Sequence, residues 1–584
     1  MNTLLVVVIS IFIFWFAFRF YARYIAKVFN EDDSHPTPAK TINDGIDYVP
    51  SKTLVVFSHH FSSIAGAGPI VGPTVALLYG FYPTWLWILL GAIFIGAVHD
   101  TASIFTSLRE KGSSIVEIAK KTMGKWGFTL FIIFVFFMLL LVCAAFLDLT
   151  CVALTSVVKL KLLGLPESQT LFRTVSDPKT GESMAVVGGI ASTSVIIITA
   201  FAPLMGYLLY RRNMKVFYAV MLSLIVIVLS VFIGFALPVR FSRETWMVLV
   251  SIYCFIASAI PVWVVLQPRD FINSFFLYGG IIALIFAAIV GGLKGIEVTT
   301  PAINISEGAA KLGPVWPILF ITVACGAISG FHTLVATGTT VKQLSRESDA
   351  RKIGYGAMLV ESMLSVGVIV ALGAGLAYVA YKDIVFPQTG KSNPVLAFAL
   401  GSGLFMEKAL GIPSYVGIIF GILMIEGFVI TTLDTAVRLG RLILQEFWRT
   451  IFKKPPRIIF SRFFNSTIII VSMFLLAYKN GFAVVWPVFG SANQLMAALA
   501  LIAISLWLTM MQKKRLFTIL PALFMLITTI CSLGFLLIKK FMPSGNYPLI
   551  IITIILFLLA CFVFVIALRK FIEYAKNKEV MVKV

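Results

Sequence analysis

Charge is what this chain has little of: Asp, Glu, Lys and Arg make up only 12% of its 584 residues, against about 25% in a soluble domain. With that scarcity and a mean hydropathy of +0.98, no water-facing surface can be assembled, which excludes a soluble enzyme or binding module. Histidine is scarcer still, with five residues, and cysteine numbers six. The cysteines (Cys143, Cys151, Cys254, Cys325, Cys531 and Cys561) all fall inside apolar stretches without a C-x-x-C pair. They read as small buried hydrophobes, and neither a disulfide framework nor a metal site is implied. No P-loop pattern occurs, which argues against ATP hydrolysis. The first apolar run, from Thr3 to Phe18, lacks a basic start and a small-residue cleavage site, so it reads as a retained span and not a signal peptide.

What the chain has in abundance is apolar runs. Hydrophobic residues make up 59% of it, and stretches of about 20, enough to cross a hydrocarbon core about 30 Å thick, follow one another almost end to end. Runs and breakers predict an all-α polytopic membrane protein with about 15 transmembrane helices. The spans fall near 3–28, 54–80, 85–107, 126–158, 186–210, 214–238, 245–267, 271–293, 315–338, 353–381, 412–434, 459–478, 484–510, 516–538 and 547–569. The net charge of +21 does not point to nucleic acid, because the basic residues sit in short clusters between spans instead of on one face. Clusters at Arg109 to Lys125, Arg211 to Lys215, Lys342 to Lys352, Arg438 to Arg462, Lys513 to Arg515 and Arg569 onward occupy alternate loops. By the positive-inside rule the N-terminus is outside and the C-terminus inside. Residues 159–185 read as a polar outer loop and 383–411 as an outer loop with a short amphipathic helix. Residues 436–450 read as a helix along the inner surface, with Arg438, Arg441 and Arg449 turned to lipid phosphates.

Two spans contain breakers at membrane depth. The first reads Ser58-His59-His60-Phe61-Ser62-Ser63-Ile64-Ala65-Gly66-Ala67-Gly68-Pro69, the second Ala324-Cys325-Gly326-Ala327-Ile328-Ser329-Gly330-Phe331-His332 and then Thr337-Gly338-Thr339-Thr340. A helix interrupted in lipid frees N–H and C=O groups that must line a protein cavity, so each break marks a site. The alternative is that the glycines serve close helix packing. The two breaks enter from opposite sides, the arrangement of inverted repeats, with residues 54–238 and 315–510 as five-helix units. Residues 245–293 are then inserted helices, and 516–584 the C-terminal helices and cytoplasmic tail. Carriers so built bind solute near the midplane.

Four of the five histidines (His59, His60, His99 and His332) lie in or beside spans, three of them in the broken segments, where imidazole can exchange a proton. Intramembrane carboxylates are costly and should face the interior; Asp100, Asp148, Glu361, Glu426 and Asp434 are the candidates. Asp434 has Arg438 at i+4 and reads as a structural ion pair. Asp100 beside His99 extends a proton path, and Glu426 is protonated or hydrogen-bonded to another helix. Pro261-Val262-Trp263 and Gln267-Pro268-Arg269-Asp270 end a span on the inner side, where Arg269 and Asp270 are either a gate or a loop anchor. Asn493 and Gln494 supply amides for interhelical hydrogen bonds.

These residues resemble the carbon starvation protein A (CstA) family of bacterial inner-membrane transporters. The resemblance runs through His59-His60-Phe61 with Ile64 to Pro69, Pro261-Val262-Trp263 with Pro268-Arg269-Asp270, and Ala324 to Ala327 with Ser329 to His332. It continues through Glu347 to Arg351 with Ile353 to Met358, and Phe489-Gly490-Ser491-Ala492-Asn493-Gln494. It implies secondary active uptake under carbon starvation, with short peptides and pyruvate as associated substrates, proton coupling, and a LeuT/APC-like five-plus-five repeat core. Ser58 stands where glycine is expected and His99 where glutamine is expected, and the chain is shorter toward its C-terminus than the longest members. The resulting expectation is an alternating-access symporter in which His59, His60, Ser62, Ser63, Gly66, Ala67, Gly68, Cys325, Gly326, Ser329, Gly330 and His332 bind substrate. Its serines hold a carboxylate. His59, His60, His332, Asp100 and Glu426 are proton-coupling candidates, and Arg269 and Asp270 gate candidates. No metal or cofactor is expected; the coupling ion is a proton, with sodium as the alternative, and oligomeric state is open. A solute or ion channel is the competing reading, distinguishable because only a carrier accelerates exchange. An intramembrane enzyme is disfavoured by dispersed carboxylates, and a receptor by the lack of a signalling domain.

Overall fold

An apolar run in lipid can satisfy its backbone N–H and C=O groups only within itself, and each run accordingly becomes a helix. The computed structural model describes residues 1–176, 181–323, 325–388, 392–452, 456–479, 482–545 and 547–576. Ala324 of the second break and the tail beyond 576 lie outside the described residues. The first half comprises α1 (Thr3–Phe29), α2 (Thr53–Ile64), α3 (Gly68–Tyr79), α4 (Phe81–Arg109), α5 (Ile115–Leu154), α6 (Val187–Arg211) and α7 (Val216–Ala236). Next come α8 (Arg243–Ala259), α9 (Leu266–Leu293), the turns Val315–Leu319 and Phe320–Thr322 (α10), and the turns Phe331–Val335, Ala336–Thr340 and Val341–Gln343 (α11). The remainder is α12 (Asp349–Gly375), α13 (Tyr378–Val385), α14 (Pro394–Leu410), α15 (Ser414–Ile451), α16 (Arg462–Lys479), α17 (Phe482–Met510), α18 (Leu516–Ser544) and α19 (Tyr547–Lys576). Eleven helices among the described residues are long and apolar enough to cross a membrane, or twelve if α2 and α3 form one bent span. The chain is a multi-pass helical membrane protein.

α12 and α17 lie at the centre, almost wholly buried, whereas α7 and α19 leave most of their apolar surface outward. Local rules set several boundaries. Ser114 and Glu117 close a capping box at the start of α5, and Gly124, at φ +76°, bends that helix where a side chain would be strained.

One expectation is refined and three are corrected. Residues 159–185 carry a small antiparallel sheet, order β1-β3-β2, from β1 (Val158–Lys159), β2 (Thr174–Ser176) and β3 (Ser183–Ala185). The stretch 383–411 is no surface loop: α14 is buried between α12 and α15, with Lys408 Nζ donating to Ala374 O and Gly375 O at 3.0 Å each. Glycine permits this, since a β-carbon on Gly401 would lie 3.1 Å from Leu372 Cα. Residues 436–450 continue α15, and Arg438 and Arg441 are buried instead of facing lipid. Gln267 to Asp270 begin α9 instead of ending the preceding span, because proline is tolerated in a first helical turn; the chain breaks just before, at 260–265.

The loop before α2 is fastened to α15. Asp47 accepts from Arg438 Nη2 at 2.5 Å and from Arg441 Nη2 at 3.3 Å, and Arg438 Nη1 also donates to Ile260 O at 2.9 Å. Burial raises the Asp47 carboxyl, but Arg438, Arg441 and Lys342 more than offset it and hold it below the usual carboxylate range. The fastening is therefore complete above the ordinary carboxylate pKa and is lost only as pH falls through that lower value.

Candidate functional site

The first break begins where Ala65 leaves helical geometry, at φ −77° and ψ 50°. Helix resumes at Gly68 with Pro69 in its first turn, bent 43° from α2. The carbonyls thus freed are met by hydroxyls of neighbouring helices. Thr431 Oγ1 donates to Ser62 O at 2.9 Å and Thr432 Oγ1 to Ser63 O at 3.0 Å, while Ser365 Oγ donates at 2.9 Å to Pro69 O, which Pro73 leaves open four residues on. This is how an interruption survives away from water.

The second break follows Thr322, with Val323 at φ −86° and ψ 66°, and ends at Phe331. Here one residue of α17 serves the freed backbone. Asn493 Oδ1 accepts from Phe331 N at 2.8 Å, Asn493 O accepts from Gly330 N at 3.0 Å, and Asn493 Nδ2 donates to Ser329 Oγ at 3.0 Å. Gln494 Nε2 donates to Phe320 O at 2.9 Å. The two amides read from sequence as interhelical thus hold the break itself.

The breaks touch each other, and glycine is what lets them. A β-carbon on Gly68 would lie 2.2 Å from Cys325 Sγ, and one on Gly72 2.5 Å from Thr322 O. Gly66 packs on Phe146 and Gly326 on Ser365 in the same way. Interruption and close packing, set out above as alternatives, occur together. Beside the contact, α3, α10, α17 and α18 leave a cavity of about 150 Å³ lined by Gly68, Thr322, Cys325, Phe489 and Ser532.

One prediction follows at Gly330, where an added β-carbon would lie 2.2 Å from Asn493 O and 2.4 Å from Ala497 N. Both are backbone atoms and cannot swing aside. Gly330→Ala is expected to cost about 1–3 kcal/mol and to lower the melting temperature of the purified protein. Gly534→Ala in α18, with nothing within 4 Å of the new atom, should melt as the unaltered protein does.

Around the breaks lie fully buried titratable groups in two sets. In the first, His59 Nδ1 is 2.6 Å from Asp270 Oδ2. Beside it Arg269 pairs with Asp434, whose Oδ2 also accepts from Tyr253 OH at 2.6 Å. In the second, His332 Nδ1 is 2.8 Å from Asp100 Oδ2, and His332 Nε2 is 3.4 Å from Glu361 Oε2. His99 Nδ1 contacts the other Asp100 oxygen at 2.8 Å. His60 Nδ1 is 2.7 Å from Thr340 Oγ1, joining α2 to α11.

Most residues singled out in the sequence converge here, with partners local rules do not give. Ser62 Oγ donates to Asp270 O at 3.4 Å, Ser63 Oγ lies 3.2 Å from Thr435 Oγ1, and Ser329 is held by Asn493. Ala67 is buried at the N-cap of α3. Asp434 pairs with Arg269 and not with Arg438, and Arg269 and Asp270 turn to different partners instead of forming one pair. Glu426 is buried on α15, and its Oε1 has no hydrogen-bond partner among the described residues. Sequence reading passed over the threonines 431, 432 and 435. Their signal is two adjacent hydroxyls and a third one helical turn on, flanking the buried carboxylate Asp434.

With this geometry in hand, the chain's likeness to known proteins can be placed beside it. The family model for carbon starvation protein CstA matches residues 2–390 and 376–532. The chain is 32% identical to the peptide transporter CstA of Helicobacter pylori, over 93% of its own length and 83% of the relative's. It is 29% identical to the peptide transporter CstA of Bacillus subtilis, over 99% and 98%. It is 30% identical to the pyruvate/proton symporter BtsT of Escherichia coli, over 91% and 81%. Among solved structures it is similar to MhsT in complex with L-phenylalanine, at 16% identity, TM-score 0.48, covering 88% of this chain and 99% of that one.

Proposed function

The chain belongs to the carbon starvation protein CstA family, and from that membership and the geometry above we propose that it imports small carboxylate-bearing nutrients, short peptides or pyruvate, together with protons. It is a secondary transporter. It works by alternating access in the bacterial inner membrane, N-terminus outside and C-terminus inside, and its fifteen crossings include the short α8 and α16 and the broken α10–α11. The observation that carries the reading is the contact of two interrupted helices, Gly68 against Cys325, with buried histidines and carboxylates bonded to both.

The helix lengths favour a revised repeat. After its broken member, one unit runs α4, α5, α8 and α9, of 29, 40, 17 and 28 residues. The other runs α12, α15, α16 and α17, of 27, 38, 18 and 29 residues. On this pairing the inserted hairpin is α6–α7 and not 245–293. Five crossings per unit reverse the orientation of the next, and a two-helix insertion leaves that parity intact.

The coupling proton resides in the Asp100–His332–Glu361 set. Two carboxylates facing one shared histidine leave negative charge in excess, which a dry interior opposes. One further proton, on Glu361, neutralises it. A substrate carboxylate held at the breaks by Ser62, Ser63 and Ser329 adds a negative charge next to this set, so substrate and proton enter together. The carbonyls freed at the first break are already met by hydroxyls, and Phe320 O at the second by an amide, which favours the proton over sodium. His60, bonded to Thr340, holds the inner halves of the two broken helices together; His60→Ala is expected to abolish uptake without abolishing expression.

The test is uptake of labelled dialanine and labelled pyruvate into proteoliposomes under imposed pH and sodium gradients. Accumulation driven by inward proton movement, with acceleration by preloaded substrate, is the expected result. Conduction without exchange acceleration would establish a channel instead.

A further inference from the structure

Below the inner halves of α2 and α11 lies a cavity of about 540 Å³, well within the size of small-molecule sites. Its walls come from the loop before α2, the first turn of α5, the end of α11, the last turns of α15 and residues 460–463 at the start of α16. It is separate from the breaks, and nothing in the transport reading uses it.

Two observations distinguish it from a crevice filled only with water. It is lined by four charges of each sign, Lys342 and Arg441 with Arg449 and Arg462 on one hand and Glu117 and Glu446 with Asp44 and Asp47 on the other. Arg441 is also only 1% exposed, yet its Nε has no hydrogen-bond partner among the described residues. Its Nη2 shares Asp47 at 3.3 Å, and Nη1 reaches Gln445 Oε1 only at 3.4 Å. A guanidinium is a rigid fork built for a carboxylate, and a buried donor left unfilled is costly. Glu446 is held in place by Ser114 Oγ, which donates to its Oε2 at 2.8 Å. Glu117 is fixed by the capping box of α5.

We propose that this cavity is a second substrate site, on the release side, for a zwitterion such as a short peptide. The carboxylate end binds Arg441 and Lys342, and the ammonium end binds Glu446 and Glu117. A simple carboxylate would use the cations and leave two acids facing it; a simple cation would do the reverse. A molecule carrying both charges a few bonds apart satisfies both. The arriving carboxylate also competes with Asp47 for Arg441. Asp47 keeps Arg438, the closer of its two partners, so occupancy loosens one of the two arginine ties on Asp47. The proposal rests on the transport reading in one respect, that substrate leaves on this face.

The experiment is equilibrium binding of labelled dialanine to the purified full-length chain, alongside uptake in proteoliposomes. The unaltered protein should bind two equivalents. Glu446→Gln, which keeps an acceptor for Ser114, and Lys342→Met should each weaken the same second equivalent about tenfold or more, the scale of a lost charge-assisted bond. N-acetyl-dialanine, which lacks the ammonium, should occupy that site weakly and be indifferent to Glu446→Gln. A single equivalent with normal uptake would overturn the second site alone. Pyruvate filling it as tightly as dialanine would overturn the zwitterion assignment. Two equivalents, the second sensitive to Glu446→Gln, without any uptake would keep this site and remove the transport reading.

Discussion

Glu361→Gln is expected to abolish uphill uptake driven by a pH gradient while leaving exchange of labelled for unlabelled substrate within a few-fold of normal. Glutamine has the size of the protonated acid and cannot release a proton, so it freezes the Asp100–His332–Glu361 set in its neutral form. Glu361 is suited to the coupling role because it is wholly buried and neither carboxyl oxygen has a hydrogen-bond partner among the described residues. His332 Nε2 lies 3.4 Å from it, and a dry interior together with the cluster's own charge holds the proton. With one proton per substrate, a pH difference of one unit is worth about 1.4 kcal/mol, or about tenfold accumulation. The variant should equilibrate to about onefold. Accumulation by Glu361→Gln at the normal ratio would remove the residue from the coupling mechanism. His332→Ala is a poorer probe, since it strips two buried carboxylates of their shared partner and threatens the fold.

The breaks were legible in the sequence because they rest on a local contradiction: Gly66, Gly68 and Pro69, or Gly326 and Gly330, inside runs otherwise apolar enough to span. Partner choice was not. Asp434 and Arg438 satisfy the i,i+4 rule, yet Asp434 takes an arginine from α9 and Arg438 an aspartate from the loop before α2, because helix packing decides which faces meet. α14 was misread for a similar reason. Its seventeen residues are short for a span and include the charged pair Glu407 and Lys408, yet Lys408 donates to carbonyls at the end of α12. The polar stripe at 436–450 has the same pattern whether it meets lipid phosphates or Asp47, and sequence periodicity cannot tell these apart. Glu361 was visible as an intramembrane carboxylate, but its pairing with His332 required bringing α12 to the second break.

Arg269→Met should have the largest effect on folding. Arg269 is wholly buried and pairs with Asp434, and Tyr253 OH accepts from its Nη1 at 2.7 Å. Three helices, α8, α9 and α15, therefore meet on one guanidinium. Removing it leaves Asp434 buried and uncompensated, a loss of about 3–5 kcal/mol for a broken buried pair. Little or no monodisperse protein should be recovered from detergent. Arg269→Met with Asp434→Asn removes both charges, so most of the loss should be recovered in the melting temperature, and the shortfall from additivity measures the pair. A single variant that melts normally would show the pair to be dispensable. Uptake should stay low in the double variant even when it folds, because the neighbouring residue acts elsewhere. Asp270 holds His59 at 2.6 Å, tying the inner half of the first broken helix to α9, while Arg269 ties α9 to α15. Adjacent positions at the start of one helix thus fasten a hinged segment on one side and its frame on the other, and loss of the arginine tie frees the turn on which the histidine tie depends.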